Sequence, residues 1–137
     1  MGEINLIKLL ESLLQTADGR VIYILTLISI TMCIDFLTGT AAAYINPSIE
    51  FKSKAGINGI LRKICSLLLM IIFVPFVIAV DKTIGLTIVW TLYLGYEIME
   101  LKSIAENIEK MGGDVSLFMG VLDILKEKIN NKNKRGK

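Results

Sequence analysis

Val21 to Ile45 reads VIYILTLISITMCIDFLTGTAAAYI, an apolar segment with one acid, Asp35, and a small-residue tract from Gly39 to Ala43 near its end. A helix rises about 1.5 Å per residue and a bilayer core needs roughly 20 apolar residues, so this segment can cross a membrane. A carboxylate within hydrocarbon costs about 3 kcal/mol or more, so Asp35 is expected to face protein, water or a cation. The segment therefore predicts a transmembrane helix that serves assembly or conduction.

The composition is that of a membrane protein. Among the 137 residues 53% are hydrophobic, and the mean hydropathy is +0.62, more apolar surface than a soluble domain of this size can cover. The net charge of +2 indicates neither a nucleic-acid binder nor a binder of acidic ligands. Cys33 and Cys65 lie in apolar segments without metal-ligand spacing, and we interpret them as reduced packing residues.

A second span is predicted over residues 57–80, because the chain is continuously apolar from Ile64 to Val80. A helix that begins near residue 57 allows Arg62 and Lys63 to reach the membrane interface. Pro75 removes one backbone hydrogen bond within the span and predicts a kink.

A third span is predicted over residues 83–101, after the short turn Asp81-Lys82. Its uncharged part is short for a membrane crossing, so the span must include Glu97 or Glu100. A re-entrant segment is the alternative, but the helical pattern that continues after Glu97 favours a span that emerges as an amphipathic helix.

Amphipathic helices are expected on both sides of the spans. The first runs from Ile4 to Leu14, with Asp18 as a possible N-cap of the helix that follows. Gly112-Gly113 ends the third span's helix, and Asp114 can cap a helix over residues 114–130. One face of this last helix carries Phe118, Val121, Leu122, Leu125 and Ile129. The prediction is an all-α membrane protein with one helical domain over residues 1–130 and a solvated basic tail over residues 131–137.

The distribution of Lys and Arg predicts the orientation, since positively charged flanks stay in the cytoplasm. The connection after the first span carries four basic residues, the second turn carries Lys82 alone, and the segment from Lys102 to Lys137 carries eight. We therefore expect the N-terminus outside the membrane and the C-terminus in the cytoplasm.

Polar and small residues within the spans are the candidate functional residues. An intramembrane and assembly set comprises Asp35, Gly39, Ala43, Arg62, Lys63, Glu97 and Glu100. Asp35, Arg62, Lys63 and Glu97 are expected to meet at one depth, either as a neutralising ion pair within one protomer or as a hydrophilic face exposed when protomers assemble around water. Ser53, Gly56 and Gly59 recur every third residue and form either a close-packing strip or part of a flexible loop.

Enzymatic chemistry is not expected. The chain has no histidine, so it lacks a Ser-His-Asp triad and an HExxH zinc site, and no phosphate-cradling motif is present. Glu97 and Glu100 stand at helical spacing and are better explained as a polar stripe than as catalytic carboxylates. No cofactor, metal or nucleic acid is predicted, and anionic lipid head groups are the expected partner of the basic tail.

Three blocks in order carry a resemblance: Ile34 to Gly39 (IDFLTG), Ser53 to Lys63 (SKAGINGILRK) and Tyr96 to Asn107 (YEIMELKSIAEN). Together they resemble the toxin secretion/phage lysis holin family. The resemblance implies a small phage membrane protein that oligomerises in the host membrane and opens lesions through which an endolysin escapes, or through which a toxin is exported in some members. The two-residue turn Asp81-Lys82 departs from the longer, more polar connection that is common in the family.

Two hypotheses of different classes follow. The first is a lesion-forming homo-oligomer, which includes the narrower case of a channel that passes only small ions. The second is a membrane adaptor that recruits a cytoplasmic partner through its C-terminal helix and opens no hole.

Overall fold

The computed structural model describes residues 5–50 and 52–135, and the regular structure in these ranges is helical. The helices are α1 (Leu6–Gln15), α2 (Ala17–Ile45), α3 (Ser53–Val80), α4 (Lys82–Lys110) and α5 (Ser116–Arg135). Three of them, α2, α3 and α4, are long and apolar enough to cross a membrane. The predicted fold class, three transmembrane helices with a helix on either side, is confirmed.

Several element boundaries differ from the sequence prediction. Ser53, Gly56 and Gly59 lie within α3, so the flexible-loop interpretation is wrong. The helix of the third span is continuous to Lys110, which excludes the re-entrant alternative. The last helix begins at Ser116 and continues to Arg135, so most of the expected basic tail is helical. Ile4, at which the first helix is predicted to begin, lies outside the described residues, and the apolar residues Ile7 and Leu14 of α1 are exposed.

Polar side chains begin most of the helices. Thr16, in an extended conformation, caps α2 by accepting a hydrogen bond from the Gly19 N–H at 3.0 Å, so the prediction of Asp18 as the N-cap is wrong. Asp18 already lies in the first turn, where its charge favours the helix dipole. Asp81 caps α4 by accepting from the Ile84 N–H at 2.8 Å. The connection between α3 and α4 is therefore a single residue.

The three spans pack with α4 between α2 and α3. Helices α2 and α4 run parallel, and α3 runs antiparallel to both. The common core is apolar and comprises Ile24, Ile28, Met32, Met70, Val77, Val89 and Tyr93. Near the tight turn α3 and α4 approach so closely that a Cβ at Gly85 would lie 2.7 Å from the Val77 carbonyl oxygen. Glycine is therefore required at this crossing.

Helix α5 turns back and lies along α4 instead of extending beyond it. Gly112 has φ +91°, a conformation that favours glycine, and it ends α4. Asp114 accepts from the Ser116 N–H at 3.0 Å and caps α5 as predicted. Leu122 is buried, whereas Phe118, Val121 and Leu125 of the predicted apolar face remain about half exposed.

Both cysteines and Pro75 lie within the membrane-spanning helices α2 and α3. Cys33 and Cys65 are free and exposed on the outer surfaces of α2 and α3, so their interpretation as packing residues within a protomer is wrong. Helix α3 runs through Pro75, and a kink at this position stays a prediction.

Candidate functional site

The seam between α2 and α4 changes character along its length. Residues of α4 that face the bundle follow helical spacing through Val89, Tyr93, Glu97, Glu100 and Asn107, and all five are buried. The facing residues of α2 are Ile24, Ile28, Thr31, Asp35 and Ala42, which are also buried. The first half of the seam is thus apolar, and the second half carries three carboxyl groups and an amide.

Lys63 of α3 joins two of these carboxyl groups. Its Nζ lies 3.1 Å from Asp35 Oδ2 and also contacts Glu100 Oε2. The Asp35 and Glu100 side chains are only 11% and 8% exposed, and that of Lys63 is 24% exposed. Removing charges from water is expensive, and their mutual attraction offsets that cost only when the geometry is good. One cation shared by two acids leaves one negative charge in excess.

Asn107 completes this arrangement, which we call the ionic cluster: Asp35, Lys63, Glu100 and Asn107. The Asn107 Nδ2 donates to Asp35 Oδ1 at 2.9 Å and lies 3.3 Å from both the Asp35 carbonyl oxygen and Thr38 Oγ1. Gly39 lies against the same amide, because a Cβ there would be 3.3 Å from Asn107 Nδ2. The cluster therefore ties all three spans together.

Glu97 lies one turn away from Glu100 and has a different partner. Its Oε2 is 2.9 Å from Thr31 Oγ1, while Oε1 is buried and has no hydrogen-bond partner within the described part of the chain. A buried carboxyl oxygen without a donor is uncommon in stable cores. Glu97 is consequently the least satisfied polar group of the seam.

The structure brings together some of the predicted site residues and separates others. Asp35 and Lys63 meet as expected, but Glu100, and not Glu97, is the second acid on Lys63. Arg62 is exposed and makes no described ion pair. In the small-residue tract Ala42 is buried at 1% exposure, whereas the predicted Ala43 is only half-buried. The reason is helical phase, since Ala42 follows Asp35 by seven residues on the inner face.

The sequence analysis does not identify Asn107 as a site residue, because Asn107 lies beyond the expected end of the third span. Its spacing of seven residues from Glu100 is the signal that would have found it.

The predicted packing strip borders an open cleft between α2 and α3. Gly56 and Gly59 are half-buried, Ser53 is exposed, and a Cβ at Gly59 would meet nothing within 4 Å. The cleft has a volume of about 260 Å³ and reaches the ionic cluster. Residues that line it include Asp35, Gly39, Gly56, Gly59, Lys63 and Asn107. A second opening, of about 460 Å³, reaches Glu100 and Lys63 from the side of Arg62. The cluster is therefore accessible from outside the bundle.

These features define a small membrane protein whose three spans share an accessible ionic cluster. Within residues 5–50 and 52–135 no group of three or more His, Cys, Asp or Glu side chains is arranged to hold a metal.

The model of the bacteriophage holin family matches residues 12–127, and the chain belongs to this family. The resemblance noted in the sequence is thereby confirmed. The chain is similar to the antiholins of Bacillus phages PZA and phi29, with 30% and 29% identity over 133 residues, which cover 97% of this chain and 99% of each relative. It is also 30% identical over 119 residues to the antiholin of Bacillus phage B103, covering 87% of this chain and 88% of the relative. No solved structure matches.

Family membership gives the chain a holin-related role in the control of phage lysis at a membrane. Proteins of this family are not enzymes.

Proposed function

We propose that the chain oligomerises in the cytoplasmic membrane of the host bacterium and opens lesions that release an endolysin or another exported protein. The observation that carries the proposal is the open cleft beside the ionic cluster. Lipid chains cannot solvate Asp35, Lys63 and Glu100, so a second copy or water must cover the cleft in the membrane. An isolated protomer is therefore incomplete in lipid.

Small residues at the rim of the cleft support close approach of another copy. Gly56 and Gly59 present little side chain along one face of α3, and small residues allow the backbones of membrane helices to come close. Contact between copies would cover the ionic cluster in the closed state, and separation of the same surfaces would expose it to water. A single surface can thus serve both assembly and opening.

The orientation is proposed from the basic residues. Lys52, just before α3, and Lys54, Arg62 and Lys63, in its first turns, would place the start of α3 at the cytoplasmic side, and the single-residue turn at Asp81 would face outwards. Anionic lipid head groups are the expected partners of the exposed basic residues on the cytoplasmic side.

A second candidate is that the chain restrains lesions instead of forming them. The relatives named antiholin support it, because each aligns with most of this chain. An antiholin would use the same cleft to join a lesion-forming partner and delay the opening. Lesion former and antiholin thus differ in outcome, not in the surface that they use.

Expression of the chain alone in a bacterium tests these functions. A lesion former admits an impermeant dye and releases a co-expressed cytoplasmic endolysin. An antiholin produces neither effect but delays lysis by a lesion-forming relative. Dye entry without endolysin release indicates a small-ion channel, and a chain with no effect in either assay favours the membrane adaptor.

Asp35→Asn tests the role of the cluster, with Asp18→Asn as its matched control. Both changes neutralise one acid on α2, but Asp18 is exposed in the first turn of the helix and Asp35 is buried beside Lys63. We expect Asp35→Asn to insert normally and to change the onset of lysis, while Asp18→Asn keeps the wild-type schedule. Unchanged timing in both variants would contradict a functional role for the cluster.

A further inference from the structure

Helix α5 lies antiparallel to α4 alongside the membrane-spanning part of that helix. A cavity of about 380 Å³ between the two is lined by residues 91–102 of α4 and residues 119–130 of α5. Farther along, Lys132 shares a cavity with Thr87 and Trp90 of α4 and with Arg20 at the start of α2. The end of α5 has therefore returned to the face of the bundle from which α2 and α4 begin.

The length of α5 matches this path. Its 20 residues extend about 30 Å, close to the thickness of a bilayer core. Leu122 is buried against the bundle, and Met119 and Ile129 line the cavity beside α4. An apolar edge of α5 thus follows α4 across the depth of the membrane.

The exposed surface of α5 is apolar towards its start, at Leu117, Phe118, Val121, Ile124 and Leu125, but the charged part that follows is unsuited to lipid. Its exposed charged residues are Asp123, Lys126, Glu127, Lys128, Lys132, Lys134 and Arg135. Each of these charges would cost about 3 kcal/mol or more at the centre of a bilayer. Arg20 and Lys132 line the same cavity, and two cations so placed need water around them. Helix α5 can keep this position within a membrane only if its charged face contacts water.

We infer that α5 lines the aqueous side of the assembled lesion, with its apolar edge on α4 and its charged face towards the water. This inference rests on the proposed function. In a copy surrounded by lipid, α5 remains at the cytoplasmic surface, and it joins α4 when the lesion forms. The movement would take place at Gly112 and Gly113, because glycine tolerates the backbone angles that a change of chain direction requires.

The charged face also predicts which ions the lesion prefers. Five basic residues against two acidic ones give α5 three positive charges in excess. Rings of basic side chains favour anions in an aqueous pore. A lesion lined by α5 is therefore anion-selective for as long as it is narrow.

Cross-linking in cells tests the position of α5. Cysteines replace Thr87 and Lys132 in a background with Cys33→Ser and Cys65→Ser, and a short bismaleimide is added before and after the onset of lysis. We expect an intramolecular cross-link to appear with lysis and to be absent before it. Leu92→Cys with Asn130→Cys forms a second pair along the same path, in case the first variant fails to accumulate.

Ser48→Cys with Lys132→Cys is the matched control, because Ser48 lies in the connection at the opposite end of α2. This pair should not cross-link after lysis has begun. Lysis without cross-linking of either test pair would overturn the role of α5 and leave the lesion proposal intact. Full cross-linking of the test pairs before lysis would also overturn it. If no variant and no wild-type culture admits dye, the lesion proposal and the inference fail together.

Conductance in planar bilayers tests the lining independently. Lys126→Glu combined with Lys128→Glu should reverse the sign of the reversal potential under a salt gradient. Lys8→Glu combined with Lys54→Glu changes the net charge equally outside α5 and should leave the sign unchanged. An unaltered reversal potential in the α5 variant would contradict the inference.

Discussion

The two halves of the α2–α4 seam use the same helical spacing for different purposes. In the apolar half Ile24 and Ile28 meet Val89 and Tyr93, all at 1% exposure or less. In the polar half the equivalent positions carry charged and amide groups that are nearly as well buried but open onto clefts. Burial alone therefore does not distinguish the half that only holds the helices together from the half that can respond to water or to another copy. The polar half is suited to regulation, because its charged groups are accessible through the clefts.

The energetic basis of the two halves also differs. Lipid chains are as apolar as isoleucine, so the apolar half is held by close packing and by few polar contacts, such as the hydrogen bond from the Tyr93 hydroxyl to the Met70 carbonyl oxygen. The polar half depends on mutual satisfaction, since each charge loses its compensation when a partner is removed. Single substitutions should therefore have unequal effects in the two halves.

The largest effect is expected from Lys63→Met, because it leaves Asp35 and Glu100 buried without a cation. Removal of one partner from a buried ion pair typically costs about 3–5 kcal/mol. Arg62→Met is the matched control, because Arg62 precedes Lys63 directly but lies on the exposed surface of α3. This substitution should change the free energy of unfolding very little. Thermal unfolding of the purified proteins in detergent measures the difference. Equal stability of the two variants would contradict the ionic cluster as a structural element.

A somewhat smaller effect is expected from Ile28→Ala in the apolar half. Ile28 has no exposed surface, and truncation of a buried isoleucine to alanine typically costs about 2–5 kcal/mol through lost contacts and the cavity left behind. Ile30→Ala is the control, because Ile30 is 51% exposed on the outer surface of the same helix. Thermal unfolding in detergent should show Ile28→Ala to be less stable than Ile30→Ala by most of this free energy. Similar losses at both positions would mean that packing against α4 does not hold α2.

Within the polar half, Glu100→Gln and Glu97→Gln should differ although they lie three residues apart. Glu100→Gln removes the charge of one of the two carboxylates that contact Lys63, while Asp35 remains as its partner. We expect the free energy of unfolding to fall by about 1–2 kcal/mol. Glu97 has a buried oxygen without a described donor. Glu97→Gln should therefore lower the free energy of unfolding by no more than about 0.5 kcal/mol, or should raise it. A larger loss at Glu97 would indicate a partner from another copy.

The sequence was sufficient for the number of spans and for the need of Asp35 for a polar partner. Runs of apolar residues give the spans directly, and the cost of charge in lipid requires that Asp35 face protein, water or a cation. It did not distinguish Lys63 from Arg62 as the cation or Glu100 from Glu97 as the second acid, because that choice depends on helical phase. It was insufficient for Ala42, whose position depends on the phase of a helix with an apolar residue on every side. The sequence also did not predict that α5 folds back along α4, because an amphipathic pattern does not say which surface the apolar edge of a helix will contact.

The smallest effect in this series is expected at the start of α5, where Asp114 accepts a hydrogen bond from the Ser116 backbone N–H. That bond lowers the pKa of the Asp114 carboxyl below its ordinary value of 3.8. The contribution of the cap is therefore complete above pH 3.8 and is lost as the pH falls through the lowered pKa of the folded protein. Asp114→Ala should increase hydrogen exchange in the first turn of α5, while Asp123→Ala, in the exposed middle of the helix, should not. In detergent micelles the Ser116 amide resonance should titrate with a midpoint below 3.8 in the wild type and should lose that titration in Asp114→Ala. A midpoint at or above the ordinary value would show that the carboxylate does not cap α5. In that case the fold-back of α5 along α4 would have to begin without it, from the left-handed turn at Gly112 alone.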